Sequence, residues 1–118
     1  MVRGEDGLWC TRLREGRSVV LAPHGDLELG TERVLRAELD AAVAECGPGD
    51  ALVVDLSAVD FCAARGLSVL MGTADACAGR RVPFSLRGCP AQVERLLDLL
   101  GLRDRLGARD AGPRPVER

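Results

Sequence analysis

The 118-residue sequence predicts a small α/β domain: a mixed β-sheet with helices packed on it, in the order β-β-α-β-α-β-α. Three observations predict it. Compact β-branched runs stand at residues 18–22 (SVVLA) and 51–56 (ALVVDL). Between and after them, apolar residues recur at helical spacing. Glycine or proline then punctuates the segments. Strands separated by helices need crossover connections, so they pair in parallel.

The elements follow in order. Residues 8–13 (LWCTRL) have strand composition, 14–17 read as a turn, and 18–22 form a second strand ended by Pro23, so the chain opens with a hairpin. A loop spans 24–30. Thr31 is a helix N-cap candidate, followed by Val34, Leu35, Leu39, Ala42, Val43 and Cys46 on one face and charged residues on the other. Gly47-Pro48-Gly49 stops that helix. The nearly continuous apolar run 51–56 suits a central strand covered on both faces, and 57–64 form a connection. A second helix runs from about 65 to 78 and ends at Gly79, with Arg80 and Arg81 placed favourably at its negative end. Residues 82–86 (VPFSL) alternate as a strand whose Pro83 places it at an edge or at its start. Pro90 fits the first turn of a third helix and Gly101 its C-cap. Residues 1–106 make one domain, and the polar, proline-bearing stretch 107–118 reads as a disordered tail.

Composition narrows the function. A net charge of −2 and a pI near 5.4 give no concentrated basic face, so nucleic acid and anionic membranes are not expected partners. All 16 basic residues are arginine. No window reaches the length of apolar chain that a membrane span needs, and residues 1–5 are polar with no apolar signal core behind them, so the chain reads as cytoplasmic. Five widely spaced cysteines (Cys10, Cys46, Cys62, Cys77 and Cys89), without a C-x-x-C and with His24 as sole histidine, read as buried apolar thiols rather than as a metal site or disulfides. No G-x-G-x-x-G or P-loop offers a phosphate cradle. No catalytic residue, metal or cofactor is assigned. His24 is the only neutral-pH base, and it reads as a solvent-exposed loop residue. The carboxylate pairs Asp26/Glu28 and Asp55/Asp60 match no metal-loop pattern.

Two loops, 25–31 and 57–66, follow strands on the same side of a parallel sheet, where open α/β sheets place their sites. The second carries Ala63, Ala64 and Arg65 where a helix N-terminus favours capping and acidic residues; alternatively, Asp60 caps that helix a turn early. A poor local choice of this kind can mark a surface shaped for something else.

The stretch ALVVDLSAVDFCAARGLSVL, together with Gly25-x-Leu27-Glu28-x-x-Thr31, resembles the signature of the STAS domains, the sulfate-transporter and anti-sigma-factor-antagonist family, over about residues 8–106. The resemblance implies a binding module without catalysis of its own. Stand-alone bacterial members bind an anti-sigma factor that is also a Ser/Thr kinase of the GHKL type, and phosphorylation at the start of the second helix breaks the complex by adding nearly two negative charges to the contact. In this sequence the family's Asp falls on Ala63, its phosphorylated Ser on Ala64 and the next Ser/Thr on Arg65, while the first loop's acid is Glu28. Partner contacts are accordingly expected from Glu28, Asp60, Ala63, Ala64, Arg65 and Gly66, without a phosphorylation site and with Arg65 pairing a carboxylate of the partner. Ser57, Ser68 and Thr73 are the remaining nearby hydroxyls and read as structural. The same resemblance allows an accessory STAS subunit of a membrane transporter ATPase complex. A small ligand binder would be favoured by a polar pocket near His24 and Asp60 and disfavoured by a filled apolar loop. A homodimer through an exposed edge strand stays open.

Overall fold

The computed structural model describes residues 7–108 and contains five strands and three helices. They are β1 (Leu8–Glu15), β2 (Ser18–Leu27), α1 (Glu32–Glu45), β3 (Ala51–Asp55), β4 (Val59–Cys62), α2 (Ala64–Gly79), β5 (Phe84–Arg87) and α3 (Ala91–Leu100), with a 3-10 turn at Leu29–Thr31 before α1. The order along the sheet is β1-β2-β3-β5. β1 and β2 form an antiparallel hairpin, whereas β3 pairs in parallel with both β2 and β5. The predicted mixed sheet with packed helices stands.

β4 lies within the stretch read from the sequence as a connection. β2 pairs β3 from Ser18 to Leu21 and then β4 from Gly25 to Leu27, so β3 and β4 occupy one lane of the sheet in succession. The break between them is an Asx turn: the Asp55 carboxylate accepts from Ser57 N–H at 3.0 Å and from Ser57 Oγ at 2.6 Å. This lane change also explains why β2 runs through Pro23 instead of ending there. Arg17 C=O and Gly25 N–H both bond toward the β3/β4 lane, so by alternation the missing N–H of Pro23 falls in the gap where no strand stands opposite. Gly25 then bulges at φ +124°, where a Cβ would collide with Gly7 C=O. His24 is therefore a strand residue, not a loop residue. It stands opposite Trp9 and stacks on it with 3.8 Å between ring centroids.

The core lies on one face of the sheet. Leu8, Val19, Leu21, Leu27, Leu52, Val54 and Leu86 meet Leu35, Leu39 and Ala42 of α1, Leu67 and Leu70 of α2, and Val93 and Leu97 of α3. β3 therefore alternates, with Leu52 and Val54 in the core while Ala51, Val53 and Asp55 are half-buried, instead of being covered on both faces. On the other face Arg87 bridges Asp55 (3.1 Å) and Glu15 (3.2 Å).

Several ends differ from expectation. Thr31 precedes α1, but its side chain is buried and turned back: Oγ1 donates to Asp26 C=O at 2.6 Å and accepts from Glu28 N–H at 3.2 Å. α2 ends at Gly79, as the sequence predicts, and the chain leaves it through Arg80 and then Arg81 in the left-handed region (φ 61°), with Val82 N–H bonded to Cys77 C=O. Arg80 serves α1 rather than its own helix, donating to the carbonyls of Val43 (3.0 Å) and Cys46 (3.4 Å). Pro90 is the N-cap of α3, and Gly101 its left-handed C-cap. Of the predicted tail, Gly107 and Ala108 join the fold: Gly107 C=O accepts from Leu86 N–H, and Ala108 bridges Leu86 beside β5. Residues 109–118 lie outside the described residues, as does the polar N-terminus at 1–5.

Candidate functional site

The site forms where the ends of β2 and β4 meet the first turn of α2. Ala63 is extended (φ −89°, ψ 167°); its N–H donates to Leu27 C=O at 2.8 Å, and its C=O starts the helix by accepting from Gly66 and Leu67. No side chain caps α2. Asp60 stands exposed on β4, so the alternative in which it caps the helix a turn early is not what the structure contains. Gly66 is buried, and a Cβ there would lie 2.7 Å from Leu27 Cβ and 2.8 Å from its carbonyl oxygen. The close approach of α2 to β2 thus requires glycine, and it carries the two preceding residues outward: Ala64 and Arg65 are exposed.

Arg65 already has a partner within the chain. Its Nε lies 2.8 Å from Glu32 Oε1, and Arg36 Nη2 lies 2.7 Å from the other oxygen. The two guanidinium groups, Arg65 first, hold the Glu32 carboxyl below its usual range. Within the chain Arg65 thus forms an ion pair between the first turns of α1 and α2. Helical spacing reveals Arg36–Glu32 at i,i+4, but nothing local reveals a pair 33 residues apart.

Glu28 braces the neighbouring turn, its Oε1 accepting from Gly30 N–H at 3.0 Å. Beyond it Leu29 is 65% exposed, and Phe61 on β4 is 47% exposed. The free edge of β4 is closed by a residue the sequence does not single out. Gln92 of α3 accepts from Cys62 N–H at 2.9 Å and donates to Cys62 C=O at 2.8 Å, acting as one rung of a further strand. Ser57 is held by Asp55, and Ser68 Oγ donates to Ala64 C=O at 3.3 Å. Thr73 is buried.

Burial pushes the Cys10 and Cys62 thiols up to about 12 and Cys89 up to about 11, the reverse of an activated nucleophile. An open concavity of about 380 Å³ is lined by Trp9, His24, Gly25, Asp26 and Asp60. It places His24 and Asp60 together, as a ligand-binding reading would require, with the His24 ring stacked on Trp9.

The profile of the family described as "Mlab, STAS domain" matches residues 10–108. Among solved structures, an anti-sigma factor antagonist from Mycobacterium paratuberculosis is 26% identical, with a TM-score of 0.78 over 91% of this chain and 89% of that one. The unphosphorylated form of the anti-sigma factor antagonist SpoIIAA, a Bacillus cell-fate determinant also solved phosphorylated, is 16% identical, with a TM-score of 0.68 over 86% of this chain and 89% of that one. A segment of the murine Solute Carrier 26 A9 anion transporter shares the fold at 17% identity and a TM-score of 0.70, covering 85% of this chain and 17% of that one. No curated protein sequence matches the chain.

Proposed function

From the premise that the chain belongs to the STAS domain family, we propose that it is a cytoplasmic protein-binding module: an anti-sigma factor antagonist without catalysis of its own that lacks the serine phosphorylation switch. One observation carries the reading. The residue at the exposed start of α2 is Ala64, flanked by Ala63 and Arg65, so no hydroxyl stands where the resemblance puts a phosphoacceptor. Alanine cannot take a phosphate, and arginine does not imitate its charge. The likeness to solved anti-sigma factor antagonists supports the partner class.

The test uses purified anti-sigma factor kinases of the source organism. The chain binds one of them, takes up no phosphate from labelled ATP, and stays bound when ATP is added. Phosphate on the wild-type chain with release of the complex overturns the switchless reading. The double variant Ala63→Asp, Ala64→Ser restores the acid and hydroxyl of the family pattern and is expected to gain both label and release.

A second reading, an accessory subunit of a transporter ATPase, is favoured by the occurrence of this fold inside an anion transporter. Affinity capture that returns a transporter ATPase and no anti-sigma kinase decides for it. Capture of neither, with a small molecule in the concavity at His24 and Asp60, decides for a ligand binder.

A further inference from the structure

We infer that the partner docks a carboxylate-bearing apolar surface onto a cationic cleft beside Leu29, with Arg33 as the free cation that receives it. This deepens the proposed function and rests on it. The cleft, about 360 Å³, is lined by Leu29, Glu32, Arg33 and Arg36 at the start of α1. Its apolar wall is held out in solvent by rigid geometry, since Glu28 and Thr31 reciprocally cap the turn on which Leu29 sits. An exposed leucine on a turn fastened this way does not fold back to bury itself.

The charges around it are unbalanced. Arg36 and Arg65 share the single carboxylate of Glu32, and Arg33 is exposed with no hydrogen bond or ion pair among the described residues. Arg33, Arg36 and Arg65 stand against Glu32 and, on the Leu29 turn, Glu28, which leaves a local excess of positive charge in a chain whose net charge is −2. Such a field attracts an acidic group and accelerates its approach. A protein fits better than a nucleic acid or lipid surface. Phe61, also exposed, stands on β4 opposite Asp26 and directly follows Asp60, and these carboxylates repel an extended polyanion while tolerating a protein that presents acid at one place only.

The experiment measures affinity for the anti-sigma factor kinase that binds the wild-type chain, at two salt concentrations, for Arg33→Glu, Arg33→Lys and the control Arg95→Glu on α3. Arg33→Glu is expected to weaken binding about tenfold or more and to flatten its salt dependence, as loss of a charge contact does. Arg33→Lys keeps most of the affinity and Arg95→Glu all of it. The melting temperature of Arg33→Glu stays at the wild-type value, so a binding loss is not a folding loss. Wild-type binding that Arg33→Glu leaves unchanged overturns the inference and spares the proposed function. Failure of every kinase to bind the wild-type chain removes both. Arg33-dependent binding to RNA or to anionic lipid vesicles, in place of the kinase, overturns the choice of a protein partner.

Discussion

Gly66 decides the shape of the site more than any side chain that faces solvent. The first turn of α2 rests against Leu27 so closely that even a methyl group would sit 2.7 Å from Leu27 Cβ and 2.8 Å from its carbonyl oxygen. Neither neighbour is the flexible end of a side chain, so relief has to come from moving the helix or the strand. Gly66→Ala is therefore expected to destabilise by about 1–3 kcal/mol, the usual effect of overpacking a close contact, despite alanine's better helix propensity. Denaturant unfolding measures it, and an unchanged or raised midpoint would show that α2 can slide without strain. Because Ala63 and Ala64 lie on the same turn, the variant also shifts the proposed contact surface and weakens partner binding. Ala64 and Arg65 could be read from the sequence as exposed at a poorly capped helix start, and they are. The partner of Arg65 could not. Glu32 is 33 residues away, and only the pairing of β2 with β4 and the packing of α1 beside α2 bring the two first turns together.

The elements were legible where one period dominates and illegible where two short signals overlap. α1 buries Leu35, Leu39, Ala42 and Val43 as its helical spacing requires, and β5 begins directly after Pro83. β4, by contrast, has four residues, of which Asp60 and Phe61 are both exposed, so it shows neither alternation nor an apolar run. Its existence depends on two distant partners: β2, which it reaches because Asp55 and Ser57 turn the chain out of β3, and Gln92, which seals its other edge. The Asp-x-Ser spacing was the available signal for the turn; a glutamine near the start of a helix carries none. Gln92 both accepts from and donates to the Cys62 backbone, so Gln92→Ala leaves a part-buried N–H and C=O without protein partners. The expected loss is about 1–2 kcal/mol, with the largest change in hydrogen exchange at the Cys62 amide. Protection at Cys62 that survives the substitution would mean that α3 does not hold this edge.

At the scale of the whole molecule, acid and alkali act on different parts of the fold. With sixteen arginines, no lysine and one histidine, few groups are available to titrate between the carboxylates and the thiols. Among the described residues, four carboxyls are held below their ordinary values of 3.8 to 4.5. For Glu32 the main cause is Arg65, for Asp50 it is Arg14, and for Asp98 it is Arg103. At Asp55 burial acts upward but is outweighed by hydrogen bonds from Ser57 and Arg87. A depressed native carboxyl means that the unfolded chain takes up protons first as pH falls. The stabilisation is therefore complete above the ordinary carboxylate range and is lost progressively below about pH 4.5. The thiols have the opposite sense. Cys10 and Cys62, pushed up by burial to about 12, and Cys89, pushed to about 11, keep their protons in the fold, while the unfolded thiols ionise from their ordinary 9.0. That stabilisation is complete below about pH 9 and declines toward pH 12. The melting temperature should thus be flat near neutrality and fall at both ends. Glu32→Gln removes one depressed carboxyl and makes the acid limb shallower, without touching the alkaline one. Thiol-reactive reagent at pH 8 should label the native chain slowly and the urea-unfolded chain fast. Rapid labelling of Cys10, Cys62 and Cys89 in the native chain would contradict the burial from which the alkaline limb is derived. It would also bring back a reactive thiol beside β4, the one circumstance in which a binding-only account of this edge fails.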